Sequence, residues 1–515
     1  MAEIVRETEH KYEALPETLA ALAGLPGTVL DPARRETLDA VYYDTEDLRL
    51  LRARVTLRWR IGGGDAGWHL KLPAGRDTRD EVRLPLAEPE SGEAGLAGPV
   101  PGVPEGVPDE LVSLTAAHAR GRPLVPVARL RTARKAQRLT SLTGRPLAEV
   151  VSDSVTARTL AGEPASADWD ELEVELIGGD ATVLEAIDRA LRAQGARDAG
   201  SPSKLARLLG DRLLPPGDRS APPGGGEAAA RAGEVVLGYL RTQVRAVIAC
   251  DPRVRLDRAD AVHQMRVATR RTRSALQVYA AIIDRERTRE VAAELKWLAA
   301  ALGAARDREV LLERLLRRLD EVEGDLVHGP VRARVTQHLT EGLEEARLAA
   351  VAELNGSRYL ALLDVLDALI ADPPFTREAG RAADRVLPPL LHQAQRRLER
   401  ALRRIDRASD RDTAMHEARK AAKRARYAAE IAEPVLGRAA KRQVARAKRL
   451  QEVLGDHQDG VVSRAVLLEI AARAHGYGEE TFTYGLLHER EASAARDLER
   501  LFGDGVNWRS QVDVQ

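Results

Sequence analysis

The feature that most constrains the fold of this chain is a change of hydrophobic period across one Pro/Gly-rich stretch. Before LPPGDRSAPPGGGEAAARAG (214–233) apolar and polar residues alternate in short segments, and after it apolar residues recur at helical spacing. Alternation with a period of two is typical of half-buried strands, whereas recurrence every three or four residues is typical of amphipathic helices. The sequence therefore predicts two domains of different class, residues 1–212 and 231–508, joined by a flexible linker over 213–230.

Eight strand-like segments precede the linker. They are IVRETEHKYE, LDAVYYDT, ARVTLRWRI, GWHLKL, DEVRLPL, PVARLRTARKAQRL, AEVVSDSVTARTL and DELEVELIG, and each is bounded by Gly, Pro or Asp. Helical patterns interrupt them near 15–24, 109–120 and 181–195. This order predicts an α+β domain whose antiparallel strands form an eight-stranded barrel, and the later residues predict an all-α domain.

Charge and composition narrow the classes of protein. Residues 1–212 hold 28 basic and 34 acidic residues, a net charge of −6, and the remaining 51 basic and 45 acidic residues give +6. The single cysteine, Cys250, excludes a disulfide framework and fits a reducing, cytoplasmic setting. The charged N-terminus lacks the apolar segment of a secretory signal. The sequence has no run of 18 apolar residues, so no membrane span is predicted.

The helical domain contains an internal repeat. HQMRVATRRTR (263–273) aligns with HEARKAAKRAR (416–426), and KWLAAALGAARD (296–307) aligns with KRLQEVLGDHQD (448–459). The separation between the two blocks agrees to one residue in both copies. We therefore predict an internally duplicated helical bundle whose two halves are related by a pseudo-twofold axis.

Both copies of the first block place basic side chains on one helix face. Positions i, i+3, i+7 and i+10 share that face, and like charges stacked there are unfavourable without a bound anion. Nucleic acid, an anionic membrane and polyphosphate are the candidates. Nucleic-acid sites usually add aromatic residues, and membrane helices need an open apolar face, so a phosphate polymer fits best. The stripes are His263, Arg266, Arg270 and Arg273, and His416, Arg419, Lys423 and Arg426, flanked by Arg271, Lys420 and Arg424.

These motifs resemble the two halves of a CHAD domain, the conserved histidine α-helical domain, over about residues 230–505. The resemblance implies a helical, duplicated domain that binds inorganic polyphosphate through the two stripes together with Lys296, Arg306 and Lys448. The second half has Gln458 where the first half has Arg306. The two histidines have an alternative role as hydrogen-bonding residues of the core.

Several strands before the linker carry charges on one face. Glu7, Glu9 and Lys11 alternate in RETEHKYEA, Arg58 and Arg60 alternate in TLRWR, and acids alternate in ELEVEL (171–176). Such faces either meet water or, where outer helices cover the apolar faces, line the inside of the barrel. Clustered carboxylates bind hard divalent cations, and guanidinium and ammonium groups bind phosphate oxygens. An interior with both would suit a metal–polyphosphate complex.

The first domain resembles the CYTH family, the triphosphate tunnel metalloenzymes, through ETEHK, YYDT, LRWR, LKLP, RTAR, AEVVSD, ELEVEL and SKLARLL in family order. The resemblance implies an eight-stranded tunnel that cleaves triphosphates with Mg²⁺ or Mn²⁺. It implies metal ligation by Glu7, Glu9, Asp153, Glu171 and Glu173 and phosphate binding by Lys11, Arg58, Arg60, Lys71, Arg131, Arg134 and Lys204. The catalytic set would be Glu7, Glu9, Lys11, Arg60, Glu171 and Glu173.

The combined resemblance is to inorganic triphosphatases with a CYTH and a CHAD domain. It implies a cytoplasmic hydrolase of tripolyphosphate that also binds long-chain polyphosphate, with an association with polyphosphate granules and without a membrane or nucleic-acid partner. Three alternatives stay open: a non-catalytic protein that binds polyphosphate granules, a triphosphatase that acts on a nucleotide or thiamine triphosphate, and a protein whose basic helices bind nucleic acid. The sequence does not predict the oligomeric state.

Overall fold

The computed structural model describes residues 3–13, 16–75, 78–85, 104, 106–213 and 230–502. It divides into two compact units, Met1–Gly224 and Gly225–Gln515, and each is described by itself. The predicted linker lies almost entirely outside the described residues, so the exact domain bounds stay predictions. Among the described residues, no helix is both long and apolar enough to span a membrane.

Eight antiparallel strands of the first unit form a closed barrel, as predicted. They are β1 (Glu3–Glu13), β3 (Arg34–Asp44), β4 (Thr56–Ile61), β5 (Gly67–Pro73), β6 (Thr78–Pro85), β7 (Val125–Ser141), β8 (Pro146–Thr159) and β9 (Ser166–Leu176). Their order is β1-β6-β5-β4-β3-β7-β8-β9, and β9 pairs with β1 to close the barrel. Two short strands, β2 (Thr28–Leu30) and β10 (Arg197–Asp198), pair at its margins with β7 and β1.

Helices outside the barrel cover its apolar face. Helix α3 (Ala181–Ala193) packs Ile187 and Leu191 in one core cluster with Leu172 and Val174 of β9, and a 3₁₀ helix (Pro16–Gly24) joins the same cluster. Burying apolar area on the outer face stabilises this arrangement by about 25 cal/mol per Å². Because side chains alternate along a strand, the charged face of each strand then points inward. The remaining helices of this unit are α1 (Arg49–Arg52), α2 (Asp109–Ala119) and α4 (Lys204–Leu213).

An apolar plug occupies one part of the barrel interior. Leu130 of β7, Val155 of β8 and Trp169 of β9 form a buried cluster with Leu205 and Leu209 of α4. These strand residues have the same parity as charged interior positions further along the same strands. The interior is therefore apolar beside α4 and polar beyond it, and α4 brings Lys204 to the boundary between the two parts.

The second unit is helical, as predicted. Its helices are α5 (Ala232–Arg255), α6 (Ala261–Val278), α7 (Arg289–Ala301), α8 (Gly303–Asp320), α9 (Val331–Asn355), α10 (Ser357–Ala371), α11 (Ala383–Ile405), α12 (Arg411–Leu436), α13 (Arg438–Gly476) and α14 (Phe482–Arg500). The first repeat block lies on α6 and its copy on α12, and these two helices contact each other. The second block spans the end of α7 and the start of α8, whereas its copy lies within the single helix α13.

Candidate functional site

A polar cavity of about 340 Å³ lies inside the barrel. Among the described residues, ten lysine or arginine side chains and eight acidic side chains line it, together with a single aromatic residue, Tyr42. The predicted site residues that reach it are Glu7, Glu9, Lys11, Arg58, Arg60, Lys71, Arg134, Glu173 and Lys204. These come from five strands and one helix, so the closed barrel is what brings residues distant in sequence together.

The first strand places its three predicted residues in the cavity wall. In the ladder between β1 and β9, Glu9 is opposite Glu175 and Lys11 is opposite Glu173, and Lys11 Nζ donates a short hydrogen bond to Glu173 Oε1. Burial raises the pKa of Glu9, but Lys11 and Lys71 more than offset that effect, and the net pKa is lowered. The charged side chains of β1 therefore form ion pairs inside the barrel, and β1 is not a solvated strand edge.

Glu7 stands between basic and acidic neighbours. Arg83 Nη2 lies 2.8 Å from Glu7 Oε1, and Lys71 Nζ donates to Glu7 Oε2. Burial raises the pKa of Glu7, Lys71 opposes that rise, and the nearby Glu81 carboxyl adds to it. A carboxyl group with a raised pKa in this position would gain from a further cation, because a cation favours the ionised form.

A buried acidic triad lies between the cavity and the apolar plug. Asp153, Glu171 and Glu173 each offer a carboxylate oxygen, and these oxygens all lie within 4.8 Å of one another. Lys204 Nζ lies 3.0 Å from Asp153 Oδ2, 2.7 Å from Glu171 Oε1 and 2.8 Å from Glu173 Oε1. Burial raises the pKa of Glu173, but Lys11, Lys204 and Arg134 lower it well below its usual value. The three carboxyl groups thus share one ammonium group.

Three of the predicted arginines add positive charge to the interior. Arg134 makes a two-point contact with Asp153, at 2.8 Å and 2.6 Å, and lies 3.4 Å from Glu173 Oε2. Arg58 Nη1 donates to the Tyr42 hydroxyl at 3.4 Å, and Arg60 is paired with Asp65. Burial and the neighbouring Arg58 lower the pKa of Arg60 to about 10. An anion that entered the cavity would relieve this crowding of positive charge.

The donor set fits a divalent metal ion. Oxygen ligands are what Mg²⁺ and Mn²⁺ prefer, and the three oxygens of the triad are close enough together to share one ion. In addition, the buried Glu9 Oε1 accepts no hydrogen bond from any described residue, although Arg79 Nε lies 3.5 Å away. The acids could therefore hold a cation in two adjoining places, at the triad and beside Glu7 and Glu9.

One predicted residue points out of the barrel and not into its interior. Arg131 was expected to bind phosphate inside the tunnel, but its side chain lies outside the tunnel. It is 67% exposed and pairs with Asp39 at 3.3 Å. Arg131 and Arg134 are three residues apart on β7, so they lie on opposite faces of the strand. The same alternation does bring in interior residues that were left out of the predicted site: Arg79, Glu81, Arg83 and Glu175.

In the helical unit, the two basic stripes are held by matching contacts. Arg266 Nη1 lies 2.6 Å from Asp307 of α8, and Arg419 Nη1 lies 3.5 Å from Asp459 of α13. The equivalent glycines, Gly303 and Gly455, leave room for these guanidinium groups, because a Cβ on either would lie 3.4 Å or 3.3 Å from the arginine side chain. The internal repeat in the sequence therefore corresponds to a repeat in contacts.

Where α6 and α12 meet, their basic side chains crowd one another. Burial lowers the pKa of Lys423 to about 7, and Arg419, Arg270 and Arg266 contribute to that fall. Burial also lowers the pKa of Arg270, and Arg266 and Arg419 act in the same direction. The two predicted stripes are thus parts of one basic cluster, which we call the α6–α12 cluster.

The other predicted residues of this unit surround the cluster at differing exposure. Arg271 and Arg426 both pair with Glu430, at 3.2 Å and 2.9 Å, and Arg306 pairs with Glu309 at 3.1 Å. Burial lowers the pKa of Arg273, with a contribution from Arg424. Exposed positions are occupied by Lys296, Lys420, Arg424 and Lys448.

The two histidines differ in their contacts. His416 Nδ1 lies 2.6 Å from Oε1 of Gln458, the residue that replaces Arg306 in the second half. His263 is half-buried, and burial and Arg306, Arg270 and Arg266 lower its pKa although Asp260 opposes them. His416 thus has a hydrogen-bonding role within the fold, whereas His263 faces the cationic groups.

Comparisons with known proteins agree with this division. A family model described as CYTH domain matches residues 5–209, and one described as CHAD domain matches residues 238–468. The uncharacterized protein Rv2226 of Mycobacterium tuberculosis is 38% identical over 510 residues, which cover 95% of this chain and 93% of that protein.

Two solved structures are similar to part of this chain. PptA from Streptomyces chartreusis has 23% sequence identity and a TM-score of 0.45, with 56% of this chain and 100% of that chain covered. The CHAD domain from the plant Ricinus communis has 25% identity and a TM-score of 0.45, with 56% and 93% covered.

Proposed function

This chain belongs to the family of proteins in which a CYTH domain is followed by a CHAD domain, and from that membership we propose that it hydrolyses inorganic triphosphate in the barrel and binds inorganic polyphosphate on the helical domain. Members of the CYTH family are metal-dependent triphosphatases or cyclases. The observation that carries the proposal is the cavity lining, in which ten cationic and eight acidic side chains surround one space.

The acids have the role of metal ligands in this proposal. Glu7, Glu9, Asp153, Glu171 and Glu173 would hold Mg²⁺ or Mn²⁺, because they supply carboxylate oxygens on converging strands. When bound, the metal ion withdraws charge from phosphate oxygens and makes a bound water more acidic. Lys204 now contacts the same triad, so its ammonium group would be able to donate to a phosphate oxygen if a cation were held by those acids.

The cations bind and orient the substrate. Lys11, Arg58, Arg60, Lys71, Arg134 and Lys204 line the cavity and can donate to the oxygens of a triphosphate. Charge develops on those oxygens as the terminal phosphorus is attacked, so fixed donors stabilise the transition state. A water molecule attacks the terminal phosphorus, a cavity carboxylate accepts its proton, and the bond to the bridging oxygen breaks so that orthophosphate and diphosphate are the products.

The shape and chemistry of the lining favour an inorganic substrate over the nucleotide and thiamine alternatives. A base or a thiazole ring is usually bound by aromatic or apolar side chains. In the described lining such side chains are few, namely Tyr42, Ala136 and Ile177. The Tyr42 hydroxyl already accepts a hydrogen bond from Arg58. A ligand composed of phosphate groups alone uses the cavity most fully.

The α6–α12 cluster supports the second half of the proposal. Arg266 and Arg419 lower the pKa of both Lys423 and Arg270, and only Asp307 and Asp459 are paired with this cluster among the described residues. A polyanion without bases would offset this repulsion, and arginine forks suit its oxygens. We expect granule association to follow from this binding.

The test is release of phosphate from tripolyphosphate, long-chain polyphosphate, ATP and thiamine triphosphate with Mg²⁺ or Mn²⁺. We expect tripolyphosphate to be preferred and Glu7→Gln to lose at least about 100-fold in kcat/KM. The exposed Glu163→Gln is the matched control and should keep wild-type activity. No release from any substrate would support the non-catalytic alternative, and a preference for ATP or thiamine triphosphate would replace the substrate in this proposal.

A further inference from the structure

A second cluster of potential metal ligands lies in the helical unit, apart from the barrel. Asp412 is in the first turn of α12, His457 is in the middle of α13, and Glu499 is in the last turn of α14. One ligand atom of each residue lies within 4.8 Å of the other two. Three separate helices thus converge on one point.

The histidine is buried and directed at both acids. The His457 side chain is 1% exposed, and its Nε2 lies 3.3 Å from Asp412 Oδ1 and 3.3 Å from Glu499 Oε1. A single N–H cannot donate well to two acceptors, and charge-assisted hydrogen bonds are normally about 2.7–2.9 Å long. As a hydrogen-bonded group, His457 is therefore poorly satisfied on its Nε2 side.

The same distances suit a metal ion. Zinc-type ions bind histidine nitrogen and carboxylate oxygen at about 2.0–2.2 Å in a tetrahedral arrangement, so two ligand atoms are about 3.3–3.5 Å apart. The two separations from His457 Nε2, each 3.3 Å, match that edge. An ion at the centre would take the place of the shared proton and contact all three residues.

The outer carboxylate oxygens are held separately. Arg464 Nη2 lies 3.6 Å from Asp412 Oδ2, and Arg411 Nη1 lies 3.7 Å from Glu499 Oε2. Each acid thus turns one oxygen to an arginine and the other toward His457. Contacts of this kind orient metal ligands in proteins, because they fix which oxygen faces the ion.

The cluster is particular to the second half of the duplicated domain. In the repeat, LGDHQD aligns with LGAARD, so the position of His457 corresponds to Ala305, which is fully buried in the first half. By the same offset as His416 and His263, Asp412 corresponds to Ala259. The basic stripe is present in both halves, whereas these ligands are present in one, so polyphosphate binding does not account for them.

We propose that Asp412, His457 and Glu499 form a binding site for a zinc-class divalent ion, with a fourth position for water. The ion ties α12, α13 and α14 together one helical turn before His416 in the basic stripe. The site is independent of the proposed hydrolase activity, since it uses none of the barrel residues.

Cobalt(II) is a suitable probe, because tetrahedral sites with nitrogen and oxygen ligands give it intense visible absorption. Metal-free full-length protein is titrated with Co²⁺ and then with Zn²⁺, and Glu173→Gln removes a ligand of the barrel. We expect the tetrahedral Co²⁺ bands in wild type and in Glu173→Gln, displacement by Zn²⁺, and loss of the bands in His457→Ala.

Asp412→Asn is the second variant, because Asp412 is partly exposed and its change should leave the fold intact. We expect it to weaken Co²⁺ affinity at least about tenfold. Absence of tetrahedral bands in wild type, or bands that persist unchanged in His457→Ala and Asp412→Asn, would overturn the site. Either result would leave His457 as a hydrogen-bonding partner of the two acids.

Discussion

Lys204 Nζ lies 2.8 Å from Glu173 Oε1 inside the barrel, and the lysine side chain is 9% exposed. Burial alone would lower the pKa of Lys204, but Glu173, Asp153 and Glu171 raise it. The ammonium group is therefore charged, and it occupies the oxygens that a divalent ion would bind. This contact makes Lys204 both a stabilising partner of the triad and a competitor of the metal.

Replacement of Lys204 tests that relationship. In Lys204→Met three buried acids lose their shared cation, and removal of one partner from a buried ion pair costs about 3–5 kcal/mol. We expect a lower Tm in EDTA and a larger rise of Tm with Mn²⁺ than in wild type, measured by thermal unfolding. Lys135→Met, at an exposed position on β7, is the control. Equal melting of Lys204→Met and wild type in EDTA would contradict the assignment.

A second prediction uses two arginines of one strand. Arg134 points into the cavity and Arg131 points away from it. Loss of a charged donor to the transition state costs about 2.7–4 kcal/mol, so Arg134→Ala should lower kcat/KM for tripolyphosphate about 100- to 1000-fold. Arg131→Ala should stay within about twofold of wild type, because surface ion pairs contribute little. Comparable losses of kcat/KM in both variants would mean that the substitutions act through the structure of β7 and not through a side chain inside the cavity.

Much of the fold could be predicted because hydrophobic period carries local information. All eight predicted strand segments became barrel strands, since alternation in each is long enough to fix which face is buried. The strands β2 and β10 are two or three residues long and have no measurable period. Helix α4 was not predicted as the plug, because its packing depends on strand residues that lie far away in sequence.

The sequence predicted most residues of the site, but it did not predict the direction of every side chain. Glu7, Glu9 and Lys11 share a face by alternation, and the structure places all three in the cavity. Arg131 was included through the RTAR motif, although its parity differs from that of Arg134. The contacts of Lys204 with the triad could not be predicted, because they depend on where α4 enters the barrel.

The α6–α12 cluster gives a prediction in which stability and binding change in opposite directions. Arg270 is crowded by Arg266 and Arg419, so Arg270→Ala should relieve repulsion and keep or raise Tm. The same change should weaken polyphosphate binding about 10- to 100-fold, since a hydrogen bond to a charged group is worth about 1.5–3 kcal/mol. Affinity is measured at two salt concentrations, because screening reduces such binding.

Arg245→Ala is the control for that experiment, since Arg245 is an exposed arginine on α5 outside the cluster. It should retain wild-type affinity and salt dependence. If Arg245→Ala and Arg270→Ala weaken binding equally, polyphosphate is held by general surface charge and the cluster has no special role.

The lowered pKa of Lys423 predicts how polyphosphate binding depends on pH. Its pKa in the folded protein is lowered to about 7 by burial and by Arg419, Arg270 and Arg266, against 10.5 for an ordinary lysine, while Asp459 opposes the change. Between these values the folded protein lacks a proton that the unfolded chain holds, so stability should rise with pH from about 7 to 10.5.

A polyanion favours charged Lys423, so binding above pH 7 takes up a proton and affinity should fall as pH rises. In Lys423→Arg the side chain stays charged, and the dependence between pH 7 and pH 9 should flatten. Titration of polyphosphate at several pH values measures both, with the exposed Lys448→Arg as the control. A pH dependence that is the same in wild type and Lys423→Arg would show that Lys423 does not titrate with binding.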